Sequence, residues 1–454
     1  MWSILYLLRN NPDKLKKSMI HRGLETTVID KAVDLDLNWR RKQREIDMKK
    51  AERNKLTKGL AKLSPEEKQR RIEQAKKLSK EIDLLEEEVR RLKTERDELL
   101  LSIPNVVHET VPEGKDENDN IPIRFYGVPK VYKEDVEKFK LQNKGIETEF
   151  EIIDWKPKSH IEALKEGVFV DTERAAKVAG ARFYYLLRDI VWLDFALMLY
   201  AMDVLTKKGF ILLEPPFMLN KKAYSGVTSL EDFEDALYKI ESKDLYLIST
   251  SEHPMAAMFM NEVIEKDKLP LKYLGVSPCF RKEAGAHGKD TKGIFRVHQF
   301  NKVEQFVFTL PEDSWEWHEK LIRNAEELWQ GLEIPYRVVN ICTGDLGVVA
   351  AKKYDIEVWM PGQGRYREVV SCSNCTDYQS YRLNIRYAKM KGYPSEGFVH
   401  TLNSTAIATS RAIIAIFENY QQPDGSVVVP KVLRKYLEPF EMAPKDVIVP
   451  TEST

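Results

Sequence analysis

From residue 78 to residue 103 the apolar residues Leu78, Ile82, Leu85, Val89, Leu92, Leu99 and Ile103 recur at alternating steps of four and three, interrupted only by Arg96. A seven-residue repeat of this kind is a coiled-coil seam and needs a second helix to cover it. The chain supplies one. From Trp39 onward, Trp39, Ile46, Leu56, Leu60 and Leu63 fit the same spacing, with Lys42, Lys49 and Arg53 at the intervening seam positions. The segment "SPEE" joins the halves: Ser64 can cap, Pro65 suits the first helical position and Glu67 completes a capping box. The sequence therefore predicts an antiparallel helical hairpin over about residues 40–101, an arm roughly 54 Å long. Its first helix, residues 40–63, carries ten basic residues against three acidic, whereas residues 66–101 carry ten against eleven. A solvated, salt-bridged surface would account for such charge. A basic stripe is also what binding to a phosphate backbone needs.

Composition narrows the classes. Lys plus Arg equals Asp plus Glu at 71 each, so net charge does not indicate a nucleic-acid partner and only the distribution can. Four cysteines in 454 residues are too few for a disulfide scaffold and point to a reducing, cytoplasmic setting. No run approaches the length of about 20 apolar residues that spans a bilayer. The opening "MWSILYLLRNNPDK" has no basic region before its apolar run and no small-residue cleavage site, so it is expected to pack as a helix.

Pro104 ends the second arm helix, and "VPEGKDENDN" is polar and turn-rich, as expected of a mobile linker. The domains expected are 1–112 with the arm, 113–170 as linker and entry, and 171–454 as the catalytic region. Beyond residue 120, helical and strand-like runs mix without a regular βαβ period, which predicts an α+β fold on an antiparallel sheet. Two familiar signals fail. "GAHGKDT" lacks phosphate-loop spacing and has Asp290 where Ser or Thr is required. "CSNC" at Cys372 to Cys375 has no second ligand pair nearby, so no zinc is expected.

"FRVHQFNKVEQFVF", Phe295 to Phe308, alternates like a strand and places Arg296, His298, Phe300, Lys302, Glu304 and Phe306 on one face. Cations, aromatic rings and a carboxylate seldom share an exposed face, and the opposite face is only half apolar. Such a row could read a ligand with phosphate, a planar ring and an ammonium.

Together with "GFILLEPP", "TSE" at Thr250 to Glu252, "FRKE", "EVVSCSNC" and "LNSTAIATSR", this stretch resembles the ordered motifs of class II aminoacyl-tRNA synthetases. With the hairpin in front, the chain is most similar to the seryl-tRNA synthetases over nearly its whole length. "TSE" stands where "TAE" is usual, and "NSTAIATSR" replaces "NGSGLAVGR", which resembles the archaeal and eukaryotic form.

The resemblance implies a homodimeric, ATP- and Mg2+-dependent serine-tRNA ligase. ATP would bind bent over the sheet, with adenine on Phe300 and its edge read by Glu283 and the backbone at Val297. Arg281 and Arg296 would hold phosphates, Arg281 bridging the α-phosphate and the serine carboxylate, and Arg411 would hold the γ-phosphate. Planar, always-charged guanidinium suits these tasks. Lys282, Val369 and Val370 complete the implied ATP site. Glu304 would receive serine's ammonium or hydroxyl, Thr250, Ser251 and Glu252 would close the pocket, and Asn403 with Thr405 would line its floor. A pocket that hydrogen-bonds a hydroxymethyl group rejects alanine and glycine. Glu368 and Ser371 match the implied Mg2+ ligands, although their strand parity is opposite unless the strand bends there. The arm would grip the long variable arm of tRNA(Ser), and of tRNA(Sec) where the cell has one, by backbone and shape.

Overall fold

The computed structural model describes residues 3–229, 234–283, 290 and 292–450. The "GAHGKDT" stretch, Asp290 apart, lies outside the described residues. Two compact units, Met1–Val106 and Val107–Thr454, divide the chain.

The first unit opens with helices α1 (Ser3–Asn10) and α2 (Pro12–His21), followed by α3 (Thr27–Thr57) and α4 (Pro65–Ser102). The last two form the hairpin, with Ile46, Ile82 and Val89 buried along the seam and Trp39 and Leu85 beside them. The seam lysines have partners across it: Lys42 reaches Glu88 at 3.1 Å and Lys49 reaches Glu81 at 2.7 Å. The first arm helix starts earlier and stops sooner than its charge pattern suggested. Lys58 is extended and Gly59 adopts φ +78°, a left-handed conformation that glycine enters without strain, so Leu60 and Leu63 belong to the turn. Ser64 caps α4 by accepting a hydrogen bond from the Glu67 amide.

Arg96, the one break in the repeat, is 3% exposed. Its Nη1 donates to Asp36 Oδ1 at 2.8 Å, and its guanidinium lies 4.8 Å from the Trp39 ring. Asp36 also accepts from Arg9 at 2.7 and 3.0 Å and pairs with Arg40 at 2.9 Å. Burial pushes the Asp36 carboxyl up, but Arg9 and Arg96 outweigh it and hold it below the usual range.

The second unit is built on one sheet. Its strands are β1 (Ile121–Tyr126), β2 (Ile211–Leu213), β3 (Leu271–Phe280), β4 (Gln299–Thr309), β5 (Tyr336–Asn340), β6 (Lys352–Met360), β7 (Arg365–Asn374) and β8 (His400–Ala408). They lie in the order β1-β5-β6-β7-β8-β4-β3-β2, every pairing antiparallel except that of β3 with the edge strand β2. The stretch expected to be a mobile linker is tied to this unit. Asn120 accepts from the Cys342 amide at 2.9 Å and donates to Asp345 at 2.9 Å, so its polar side chain is satisfied by protein.

The two faces of β4 explain its mixed composition. Val303 and Val307 pack into the core with helices α5 (Asp189–Lys207), α6 (Ser314–Gly331) and α7 (Thr409–Asn419). The polar residues on that face are satisfied there: Gln305 bonds Asn324 and the Leu321 carbonyl, and Asn301 bonds Asp194. Phe306 and Phe308 lie on the opposite face in a second cluster with Tyr224, Tyr246 and Met255. Among the described residues no helix is long and apolar enough to cross a membrane.

Candidate active site

A cavity of about 390 Å³ opens over the middle of the sheet, on the face of β4 that carries Phe300, Lys302 and Glu304. That size falls within the range of small-molecule sites. Thr250, Glu252, Arg281, Phe300, Glu304, Glu368, Val369, Ser371, Asn403, Thr405 and Arg411 line it. A narrow crevice sharing Arg281, Phe300 and Arg411 continues past Glu283, Phe295, Arg296 and Val297.

Two β-bulges let residues of opposite parity face this space. Ile356 pairs with Val370 and Glu357 with Glu368, which leaves Val369 as an extra residue in β7. One extra residue reverses the alternation, so Glu368 and Ser371 share a face. In β8, Val303 pairs with Ile407 and Glu304 with Thr405, leaving Ala406 unmatched. Asn403, Thr405 and Ala408 can then all line the cavity.

Arg296 is not on the strand, which begins at Gln299. The preceding loop brings Arg296 within 3.6 Å of Glu283, and both line the crevice. Glu283 has φ +54°, a strained conformation for a residue with a side chain and one that clusters at functional sites. The guanidinium of Arg281 lies 5.1 Å from the Phe300 ring, and its Nε donates to the Ser249 carbonyl at 3.3 Å.

Three candidates do not line the cavity or the crevice. Ser251 is buried and its hydroxyl donates to the Gly275 carbonyl at 3.4 Å. Lys282 sits over Tyr238, with its amide donating to the Ala236 carbonyl. Val370 belongs to the core beneath the sheet.

The electrostatics of the cavity are unusual for a stability element. Burial, followed by the charge of Glu304, pushes the Glu252 carboxyl up to about 7. Glu304 is also pushed up by burial, against Lys302, whose Nζ lies 2.6 Å from it. Glu252 is oriented by Gln379, which donates at 3.0 Å and itself accepts from Thr401 at 2.7 Å. Burial opposes the charge on Glu368, but Arg411, Lys353 and Arg281 hold it low. Arg411 Nη1 is 3.3 Å from Glu368 Oε1 and donates to the Glu368 carbonyl at 2.9 Å.

Lys302 and Lys353 line the cavity although neither was among the site residues expected from the motifs. For Lys302 a signal existed, because it shares parity with Phe300 and Glu304. Lys353 had none; it faces the site because β6 pairs Lys353 with Ser373 and Asp355 with Ser371. His253, beside Glu252, is pushed down to about 3 by burial and by Lys302 and Arg281, so it adds no charge near neutral pH.

Comparison with known proteins agrees with this geometry. The family profile "tRNA synthetase class II core domain (G, H, P, S and T)" matches residues 237–420, and "Seryl-tRNA synthetase N-terminal domain" matches residues 5–107. A serine–tRNA ligase of Archaeoglobus fulgidus is 61% identical over 453 residues, covering 100% of both chains. The crystal structure of seryl-tRNA synthetase from Pyrococcus horikoshii complexed with ATP superposes with a TM-score of 0.93 at 55% identity, covering 99% of each chain. The cytoplasmic serine–tRNA ligase of Naegleria fowleri in complex with AMP gives a TM-score of 0.82 at 41% identity, covering 96% of this chain and 95% of that one. The hairpin, the bulged sheet and the charged cavity thus sit in a chain that belongs to the seryl-tRNA synthetases, class II enzymes that use ATP to join serine to tRNA.

Proposed function

We propose that the cavity holds serine and the triphosphate together, and that its residues divide the work as follows. Adenine stacks on Phe300, with Glu283 and the Val297 backbone at its edge. Arg281 binds the α-phosphate and the serine carboxylate at once, which brings the attacking oxygen to phosphorus. The carboxylate oxygen forms the new bond, the bond to the β-phosphate breaks, and pyrophosphate leaves with its charge held by Arg411 and Arg296. The terminal ribose hydroxyl of tRNA then attacks the seryl carbonyl and AMP departs. Positioning and charge neutralisation suffice for both steps, and no protein nucleophile is required.

Serine's ammonium pairs with Glu252, beside Glu304, which already meets Lys302, and Thr250, Asn403 and Thr405 surround its hydroxymethyl group. Alanine would leave those polar groups unpaired and threonine would be too large. Glu368 and Ser371 fit Mg2+: both donors are oxygen, both face the cavity because of the bulge, and Mg2+ commonly takes few protein ligands and completes its shell with phosphate and water. Bound there, the ion would neutralise phosphate charge.

The basic first helix of the arm binds the backbone of the long variable arm of tRNA(Ser), and of tRNA(Sec) by the same shape rule. A homodimer is supported by exposed Phe195, Leu199, Ile211 and Leu212 next to the open edge of β2, an apolar surface with unpaired strand groups. Four free, buried cysteines suit a cytoplasmic setting.

The observation that carries this reading is the convergence of Arg281, Arg411, Glu252, Glu304 and Glu368 on one cavity. ATP–pyrophosphate exchange without tRNA, run with each standard amino acid, tests it. Exchange with serine alone is the expected result; exchange with a different amino acid would overturn the assignment of the pocket.

A further inference from the structure

Two guanidinium groups lie against one ring deep beside the crevice. Arg367 Cζ is 3.5 Å and Arg411 Cζ 4.7 Å from the centroid of Phe295. Phe295 and Arg367 are 6% and 8% exposed. Two cations gathered at one buried ring would repel unless each had an anion, and each does. Asp290 accepts from Arg367 through both oxygens, at 3.0 and 2.6 Å. Glu368 is the partner of Arg411. Arg367 is fixed further by Gln363 at 3.1 Å, and Gln363 donates at 2.7 Å to Glu418 near the far end of α7, the helix that carries Arg411.

None of Phe295, Arg367 and Asp290 has a part in the mechanism above. We infer that Phe295 and Arg367, anchored by Asp290, are positioning residues that hold the Arg411 guanidinium in place before the triphosphate arrives. The inference rests on the reading of Arg411 as the ligand of the terminal phosphate. A long arginine left free would lose side-chain entropy on binding ATP, whereas one already stacked and paired has lost it in folding. The negative face of the ring provides the stacking.

The test uses the full-length enzyme in serine-dependent exchange, with AMP as competitive inhibitor because it lacks the terminal phosphates. Phe295→Leu should raise the KM for ATP about tenfold, leave the KM for serine and the inhibition constant of AMP unchanged, and be rescued by Phe295→Tyr, which keeps the ring. Asp290→Asn should show the same pattern more weakly, and it serves if Phe295→Leu does not fold. Combined with Arg411→Ala, Phe295→Leu should cause no further loss. Equal weakening of ATP and AMP, an unchanged KM for ATP, or additive losses in the double variant would overturn the inference. Arg411→Ala separates the two levels. If it is severe while Phe295→Leu and Asp290→Asn are silent, the positioning role falls and the reading of Arg411 stands. If Arg411→Ala is itself silent, both fall.

Discussion

The arm and the catalytic unit use the same charged residues under opposite conditions. In the arm the charges lie mostly in solvent, and those that pair across the seam, such as Lys49 with Glu81, do so with partly exposed side chains. In the catalytic unit Glu252, Glu304, Glu368, Lys302 and Arg281 gather around a cavity. Buried charge is expensive unless it is fully paired. The first unit holds a buried cluster, Asp36 with Arg9, Arg40 and Arg96, the last also paired with Asp97, and it is closed: its charges meet one another. The pocket cluster is open: burial displaces Glu252 and Glu304 upward, while Arg411, Lys353 and Arg281 hold Glu368 low. A closed buried cluster holds a fold together; an open one is held ready for substrate.

Variants can break that distinction. Arg281→Ala should cut serine-dependent exchange about a thousandfold, since it removes the group proposed to join both reactants, while the protein stays folded. A melting temperature that fell in step with activity would make Arg281 a structural residue. Asp36→Ala should do the reverse and destabilise the first unit by about 3 kcal/mol, because it removes the carboxylate shared by Arg9, Arg40 and Arg96 and leaves buried Arg96 only its neighbour Asp97. The pH dependence has a definite sign. Asp36 is held below its usual range, so its contribution is complete above the unfolded value near 3.8 and is lost as the pH falls further. Urea unfolding of wild type and variant across that window checks it.

Exposed arm charge should affect RNA alone. Arg41, Arg44 and Lys55 are exposed on the side of α3 away from Ile46 and form no ion pair among the described residues. Reversing all three to Glu should lower kcat/KM for tRNA charging by about tenfold to a hundredfold and flatten its salt dependence, with exchange unchanged. Persistent charging would place the RNA on another surface. The smallest effect belongs to Lys49→Ala, which removes an exposed pair and should leave the thermal transition where it was.

How much of this was readable in the sequence follows from how local each feature is. The seam of α4 is a repeat along one segment, so it was visible residue by residue. Arg96 looked like a defect because its partner across the seam, Asp36, lies 60 residues away and is itself shared with Arg9, so no local pattern couples them. The charged face of β4 was legible from alternation, and Phe300, Lys302 and Glu304 do face one cavity. Arg296 was placed on the same strand because alternation does not reveal where a strand starts. The parity conflict between Glu368 and Ser371 was legible, but its resolution was not: the bulge at Val369 exists only in the register with β6. The cluster of Asp290 and Phe295 with Arg367 and Arg411 joins three segments and left no pattern in any of them.

Glu252→Gln tests the central distinction most directly, by serine-dependent exchange and thermal unfolding on the same protein from pH 6 to 8. Burial pushes the Glu252 carboxyl up to about 7, so a serine ammonium that pairs with its charged form would displace a proton at lower pH, and kcat/KM for serine should rise through neutrality before levelling. Gln keeps the bond from Gln379 to the Glu252 position and removes a buried charge that Glu304 repels. The variant should melt at or above the wild-type temperature at pH 8 and lose most serine activation together with its pH dependence. A lower melting temperature, or serine activation equal to wild type, would contradict the distinction.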